Sequence, residues 1–407
     1  MSLPTFLHPF AKPSSPTEHF IEIVRGEGAL VFDRNGKQYV DGMASLWYAN
    51  IGHGRTEMVE AVAAQMSKIA AYNCFDPFTN GPSDEVATKV AGLADHMASP
   101  RVFLTSSGSE SVDTAIKLAR IAHAQAGHPE RQLVLSRGRG YHGATYGGVS
   151  AQGIPANQAG FGALLPGFMN VPGDDLEAMA LLLSEHGPQI AAVITEPVQG
   201  AGGVWPPVEG YLTGLRKLCD QHGAFLIVDE VICAFGRLGR WFGTQRYGIA
   251  PDLITFAKGI TSGYIPMGGV ILAEHVHEAL SGDPAFLLRH GFTYSGHPTA
   301  SAAALANLAI IQREGLLERA VHMGARLEAG LRSLVDDGML ASIRGDTAVW
   351  AATLPSGLDP TTVRNAMLER GAIARPLPPD TLAFCPPLVT TDEQIDHLVD
   401  ALATSIG

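Results

Sequence analysis

Lysine is scarce in this sequence, and so are cysteine, aromatic residues and long apolar runs. Lys plus Arg number 28 against 40 Asp plus Glu, which leaves a formal charge of −12. A chain this acidic has no electrostatic footing on nucleic acid or on an anionic membrane, so a small-molecule partner is the default expectation. The four cysteines, Cys74, Cys219, Cys233 and Cys385, stand apart, with no CxxC pair and no histidine at ligand spacing. Neither a disulfide framework nor a zinc site is signalled, which fits a reducing cytoplasm. The opening "MSLPTFLHPFAKPSS" lacks the pattern of a leader, and no segment reaches the ~18 apolar residues of a membrane span. The expectation is a soluble, cytoplasmic protein.

What is present is length and glycine. With 407 residues, 46 of them glycine, and 46% hydrophobic content, the chain can fill a large core and two domains. Short apolar runs alternate with stretches of helical length, the pattern of a parallel sheet covered on both faces. The runs are "RVFL" (101–104), "RQLVLS" (131–136), "IAAVITEPV" (190–198), "AFLIVDEV" (224–231), "DLITFAK" (252–258) and "GGVILA" (268–273). Helices are predicted over 109–126, 174–187 and 208–222, the last capped by Gly223. From about 298 long alanine and leucine helices begin, followed by short strands and a last helix at 391–405. The organisation expected is a large domain over 51–297 and a smaller α/β domain over 298–407, joined by residues 1–50.

In an open α/β sheet, ligands lie beyond the carboxyl ends of the strands. The residues that follow the runs are therefore expected to share one crevice. After the first run, "TSSGSE" sets Ser107, Gly108 and Ser109 before a helix, whose free N–H groups suit a phosphate. A plain capping box, Ser107-x-x-Glu110, is the alternative there, and the two are compatible. After the second, "GRGYHG" (138–143) brings Tyr141 and His142. Its match to GxGxxG suggests a dinucleotide site, but the following "ATYGGVSAQGIPAN" reads as no helix and no acid stands about twenty residues on. Tyr141 could instead lie flat on a planar ring, or fill its own loop. Glu196 follows the third run, where it could also serve backbone N–H groups. Asp229 ends the fourth, and a carboxylate there needs a cation: Arg237, or a protonated ring nitrogen.

The sequence has seven lysines, and Lys258 alone closes an apolar run. A buried lysine paired with an acid is one account of it. The other is an amine that desolvation makes nucleophilic and able to form a Schiff base with an aldehyde. An anion cradle, an aromatic plate, a carboxylate for a ring nitrogen and such a lysine together describe a site for pyridoxal 5′-phosphate (PLP).

The spaced motifs "SSGSESVDTAIKLAR", "GYHGATYGG", "ITEPVQGAGGVWPP", "LIVDEVICAFGRLGRWFG", "DLITFAKGITSGYIPMGG" and "GFTYSGHPTASAAALA" resemble those of the class III aminotransferases, PLP enzymes of fold type I. "DGMASLWYANIGHG" and "ARPLPPDTLAFCPPLVTTDEQID" are most similar to the amine or ω-amino acid:pyruvate members. The resemblance implies a mostly parallel seven-stranded sheet between helices, and a smaller domain built from both termini. It implies Lys258 as the Schiff-base lysine and proton shuttle, Asp229 on the pyridinium nitrogen, and Val231 and Tyr141 on the two ring faces. Gly108 and Ser109 would bind the phosphate, joined by Thr293 from a neighbouring subunit, so that a homodimer is the smallest active unit. Trp47 would line the substrate pocket and Arg375 would clamp a keto acid's carboxylate. The implied reaction is ping-pong transfer from an amino donor to a keto acid such as pyruvate. Ala234 departs from the glycine of many relatives. An aminomutase on the same scaffold, a non-catalytic PLP-fold protein and a dehydrogenase are the competing readings.

Overall fold

The computed structural model describes residues 3–407. Near the amino end, β1 (Ile23–Glu27), β2 (Leu30–Asp33) and β3 (Gln38–Asp41) form an antiparallel meander. The central sheet follows, with β4 (Arg101–Thr105), β5 (Leu133–Arg137), β6 (Phe168–Val171), β7 (Ile190–Thr195), β8 (Phe225–Asp229), β9 (Leu253–Phe256) and β10 (Gly268–Leu272). The carboxyl part adds β11 (Ser342–Asp346), β12 (Val349–Thr353), β13 (Ala372–Ile373), β14 (Arg375–Leu377) and β15 (Thr381–Phe384).

The central sheet has seven strands in the order β4-β10-β9-β8-β7-β5-β6. Neighbours from β9 across to β6 are parallel, while β10 runs antiparallel to both β9 and β4. Because one reversed strand separates β4 from β9, β4 keeps the common direction. Every residue of β7, β9 and β10 is buried. That is why these strands read as unbroken apolar runs: helices cover both faces, so no position alternates outward to water.

The side-chain period of two then divides the strands between two cores. Val134, Ile194, Ile227 and Val270 pack with Val112, Ala115, Ile116 and Ala119 of the helix Gly108–Gln125. Leu135, Val193, Leu226 and Val228 face the other way, onto Met179 and Leu183 of the helix Leu176–His186 and Leu212 and Leu215 of the helix Tyr211–His222. The last of these starts at Tyr211 and not at residue 208, because Gly210 sits at φ +78°, outside helical space. It ends as expected on left-handed Gly223 at φ +63°.

Two sequence expectations need correction. The seventh strand, β6, was not among the apolar runs: it lies at the sheet edge, carries Asn170, and buries only Val171 fully. The stretch after "GRGYHG" does form a helix, Tyr146–Ala151. Its glycines permit it, since a Cβ on Gly147 would come within 2.4 Å of Asp113 Oδ1 and one on Gly148 within 2.2 Å of the His142 carbonyl oxygen. The Gly148 N–H donates to Asp113 at 2.9 Å.

The two ends of the chain meet, with β13 pairing in parallel with β3. A further sheet, β11-β12-β15-β14, carries Arg375 on its edge strand. Helix Pro298–Arg313 packs on helices Thr56–Lys68 and Gly81–Leu93, and helix Leu316–Asp336 packs on the closing helix Asp392–Ile406. Among the described residues, no helix is long and apolar enough to cross a membrane.

Candidate active site

Five strands that point the same way deliver their following residues to one place. Ser107, Gly108 and Ser109 after β4, Tyr141 and His142 after β5, Glu196 after β7, Asp229 and Val231 at and beyond the end of β8, and Lys258 after β9 all line a single cavity of about 400 Å³.

Ser107 caps the helix after β4, but the reciprocal bond of a full capping box is displaced by one residue, to Ser106. Ser107 Oγ accepts from Glu110 N at 3.2 Å, and Glu110 Oε2 accepts from Ser106 N at 2.7 Å. Gly108 and Ser109, the first helical residues, have no acceptor for their N–H groups within the helix, and they open on the cavity. Glycine is required at 108: a Cβ there would lie 2.9 Å from Val231 Cγ1. Ser109 Oγ accepts from Ala144 N at 2.9 Å, which ties the cradle to the turn that carries Tyr141. An anion with several acceptor oxygens satisfies such free donors at a helix start.

Asp229 is almost fully enclosed, and its partners are not those considered from sequence. Oδ1 accepts from Val231 N and Thr255 Oγ1, each at 3.1 Å, and Oδ2 meets His142 Nδ1 at 2.9 Å. Arg237 lies elsewhere, fully buried, donating to the Pro386 carbonyl at 2.6 Å and to Asn50 Oδ1 at 2.7 Å. Because a carboxylate only accepts, His142 Nδ1 must carry the proton, and its buried Nε2 has no partner among the described residues. Asp229 keeps acceptor capacity toward the cavity, as a protonated ring nitrogen requires.

Glu196 serves backbone, accepting from Tyr141 N and Gly200 N at 3.0 Å each. Burial pushes its carboxyl up to about 7, with Asp229 adding to the rise and His142 opposing it. Lys258 sits at φ +45°, a left-handed conformation that costs energy for a residue with a Cβ. It lines the cavity, yet protein surrounds its amine, and burial lowers its pKa against the pull of Asp229 and Glu196. Its side chain has no hydrogen bond or ion pair among the described residues. An unpartnered amine whose burial favours the neutral form, beside free helix-start N–H groups and an acceptor carboxylate, can attack an aldehyde and can carry protons.

Three sequence-predicted residues lie outside the cavity lining. Trp47 is buried in an apolar cluster that also contains Leu377 and the cavity-lining Ile232. Arg375 on β14 has a buried Nε with no partner among the described residues, and its charge bears on both Tyr141 and Lys258. Thr293 is exposed on a surface turn. Ala234 is packed in the core.

Sequence reasoning missed Tyr48 and Thr255. Tyr48 lines the cavity next to buried Trp47 because Ala44, Ser45 and Trp47 take φ of +46°, +58° and +68°, a strained turn that redirects successive side chains. Asp41 holds that turn, accepting from Met43 N at 3.1 Å and Ser45 N at 2.7 Å. Gly263 makes room for the Tyr48 ring, since a Cβ there would approach it to 2.4 Å. No local signal marks these positions. Thr255 is the second-last residue of β9, placed beside Asp229 by the parallel pairing of Asp229 with Thr255.

Free helix-start N–H groups, an aromatic ring, an enclosed carboxylate and a buried lysine around one cavity fit PLP, at the carboxyl ends of a doubly covered α/β sheet. The chain belongs to the class-III aminotransferases, whose family model matches residues 11–406. It is 36% identical to the putrescine–pyruvate aminotransferase of Pseudomonas aeruginosa, over 93% of this chain and 88% of that protein. It is 35% identical to the β-alanine–pyruvate aminotransferase of the same organism, over 95% of this chain and 91% of the relative. Among solved structures, an amine transaminase from an uncultivated Pseudomonas species, in its PLP-bound form, superposes with a TM-score of 0.94. That match is at 35% identity and covers 100% of this chain and 99% of the other. The protein is therefore a PLP-dependent aminotransferase of fold type I, and the dehydrogenase reading of "GRGYHG" falls away.

Proposed function

We propose that this aminotransferase takes the amino group of a terminal amine or ω-amino acid and passes it to a small keto acid such as pyruvate, in two half-reactions at one site. When bound, PLP supplies the electron sink that stabilises charge at the donor carbon. Lys258 holds the cofactor and moves the proton, and Asp229, fixed by His142, Thr255 and Val231 N, keeps the ring nitrogen protonated. Gly108 and Ser109 hold the phosphate, and Tyr141 and Val231 flank the ring.

The observation that supports the substrate reading is Arg375. Among the described residues it has no ion pair, and its buried Nε has no hydrogen bond. A partly buried guanidinium left in this way gains from pairing with a substrate carboxylate, which offsets its desolvation. The pyruvate and amine specificities named for the two Pseudomonas aeruginosa relatives agree with it. Arg375→Ala is expected to raise KM for pyruvate about 100-fold, the worth of a charge-assisted bidentate pair, with the amine half-reaction nearly unchanged in single-turnover measurements. Equal loss in both half-reactions would show Arg375 to be structural.

We also propose a homodimer in which Thr293 reaches the neighbouring cofactor phosphate. Phe75, Phe78, Tyr72, Leu287 and Tyr294 are exposed apolar residues. Phase by phase along the chain they belong to two segments held together, with Cys74 Sγ and Asn80 Nδ2 on the Gly296 carbonyl at 3.6 and 2.8 Å. Thr293 stands within this apolar face, which suits a second copy. Twice the chain's 42.9 kDa, or a multiple of it, is expected from light scattering, and Tyr294→Glu should yield inactive monomer; active wild-type monomer would contradict this. The smaller domain formed from residues 1–50 and 298–407, and a cytoplasmic location in keeping with four free cysteines, complete the proposal.

A further inference from the structure

One indole ring ties the turn that carries Tyr141 to the sheet that carries Arg375. Trp205 lies in the loop after β7, half-buried, pinned by its own backbone pairing with Gln199 at 2.9 and 3.0 Å and by its Nε1–H on the Gly202 carbonyl at 3.1 Å. Two guanidinium groups rest on that ring. Arg139 Cζ is 4.4 Å and Arg344 Cζ 3.9 Å from its centroid.

Arg139 stands two residues before Tyr141. It is left-handed at φ +68°, and Gly202 must be glycine because a Cβ would come within 1.8 Å of the Arg139 carbonyl oxygen. Asp174 Oδ2 takes its other side at 3.1 Å. Arg344 belongs to β11, in the other sheet. It donates to the Gly203 carbonyl at 2.8 Å, to Thr353 Oγ1 at 2.7 Å and to Thr381 Oγ1 at 3.1 Å. Thr381 begins β15 and pairs with Leu377 of β14, two residues from Arg375. The contacts thus run from Tyr141 through Arg139, Trp205 and Arg344 to the β14–β15 hairpin. Three fixed donors on Arg344 and two cations on one ring make the link short and stiff.

We propose that Trp205 is a positioning residue for the keto-acid half of the reaction: with Arg344 it sets the β14–β15 hairpin, and so the Arg375 guanidinium, at a fixed distance from the cofactor plane marked by Tyr141. The proposal rests on the reading of Arg375 as the carboxylate clamp. A bidentate contact tolerates little displacement, so a hairpin free to shift by about 1 Å weakens carboxylate capture and leaves chemistry on a carboxylate-free substrate alone.

The test compares pyruvate with propanal, an acceptor without a carboxylate, in holoenzyme carrying Trp205→Leu, Trp205→Phe, Arg344→Lys or Arg375→Ala. Trp205→Leu and Arg344→Lys are expected to raise KM for pyruvate about tenfold, as loss of cation–π and forked contacts implies. The pyruvate kcat and both propanal constants should stay within about twofold of wild type, with Trp205→Phe close to wild type. Adding Trp205→Leu to Arg375→Ala should change pyruvate KM no further, because both act through one group. If Arg375→Ala is pyruvate-selective but Trp205→Leu and Arg344→Lys affect both acceptors equally or neither, the positioning role is wrong while the clamp stands. If Arg375→Ala is itself unselective, the clamp reading fails and this proposal fails with it. Should Trp205→Leu not fold, Arg344→Lys alone and in the Arg375→Ala background decides in the same way.

Discussion

Lys258→Ala is expected to reduce turnover on the order of 10⁴-fold, the upper range for a positioned proton carrier, while the protein still folds and still binds PLP. Binding should persist because the cradle at Gly108 and Ser109, the ring slot and Asp229 are untouched. It should become reversible, so that dialysis removes a cofactor which wild type retains. The apoprotein's thermal stability should not fall. Burial lowers the Lys258 pKa in the folded chain, so folding favours the neutral amine while the unfolded chain holds the proton. The native lysine therefore weighs against folding below its unfolded pKa of ~10.4, and that penalty fades as pH rises through the folded and then the unfolded value. Melting of the Lys258→Ala apoprotein at pH 7 should equal or exceed wild type, with the difference shrinking toward pH 10 and above. Ordinary turnover in this variant would remove Lys258 from its assigned role.

Asp229→Asn is the second large effect, expected on the order of 10³-fold or more in the amine half-reaction, because the charge proposed to keep the ring nitrogen protonated is lost. The geometry suffers too. Three donors converge on this carboxylate: Val231 N, Thr255 Oγ1 and His142 Nδ1. Asparagine offers one acceptor oxygen and turns an NH₂ toward at least one of them. His142 can adapt by moving its proton to Nε2, which is buried and without a partner among the described wild-type residues. PLP absorbance should therefore remain, with donor-driven bleaching slowed in stopped-flow measurements. Bleaching at the wild-type rate would show that Asp229 has no electronic role.

The central sheet was legible because its strands are buried on both faces and so read as continuous apolar text, and because the site hangs from their carboxyl ends. β6 escaped for the converse reason, being a short edge strand with a polar residue and half-exposed neighbours. Lys258, Asp229 and the Ser107–Ser109 turn were legible as polar residues where apolar runs stop. The partners of Asp229 were not: His142 and Thr255 come from separate strands, and only the parallel register brings them together. Tyr48 and Trp47 depend on a run of left-handed residues that no pattern announces. Trp205 and Arg344 are 139 residues apart in sequence numbering and meet through the seating of one sheet on another.

Lys258 and Asp229 are proposed to act together, through PLP, on an amine. The most direct test is the visible spectrum of the purified protein, recorded before and after single additions of terminal amines and ω-amino acids, and again after pyruvate. A yellow protein that some donors bleach and that pyruvate restores is the expected result. A protein that stays colourless after incubation with PLP, or a yellow one that no donor bleaches, would contradict it.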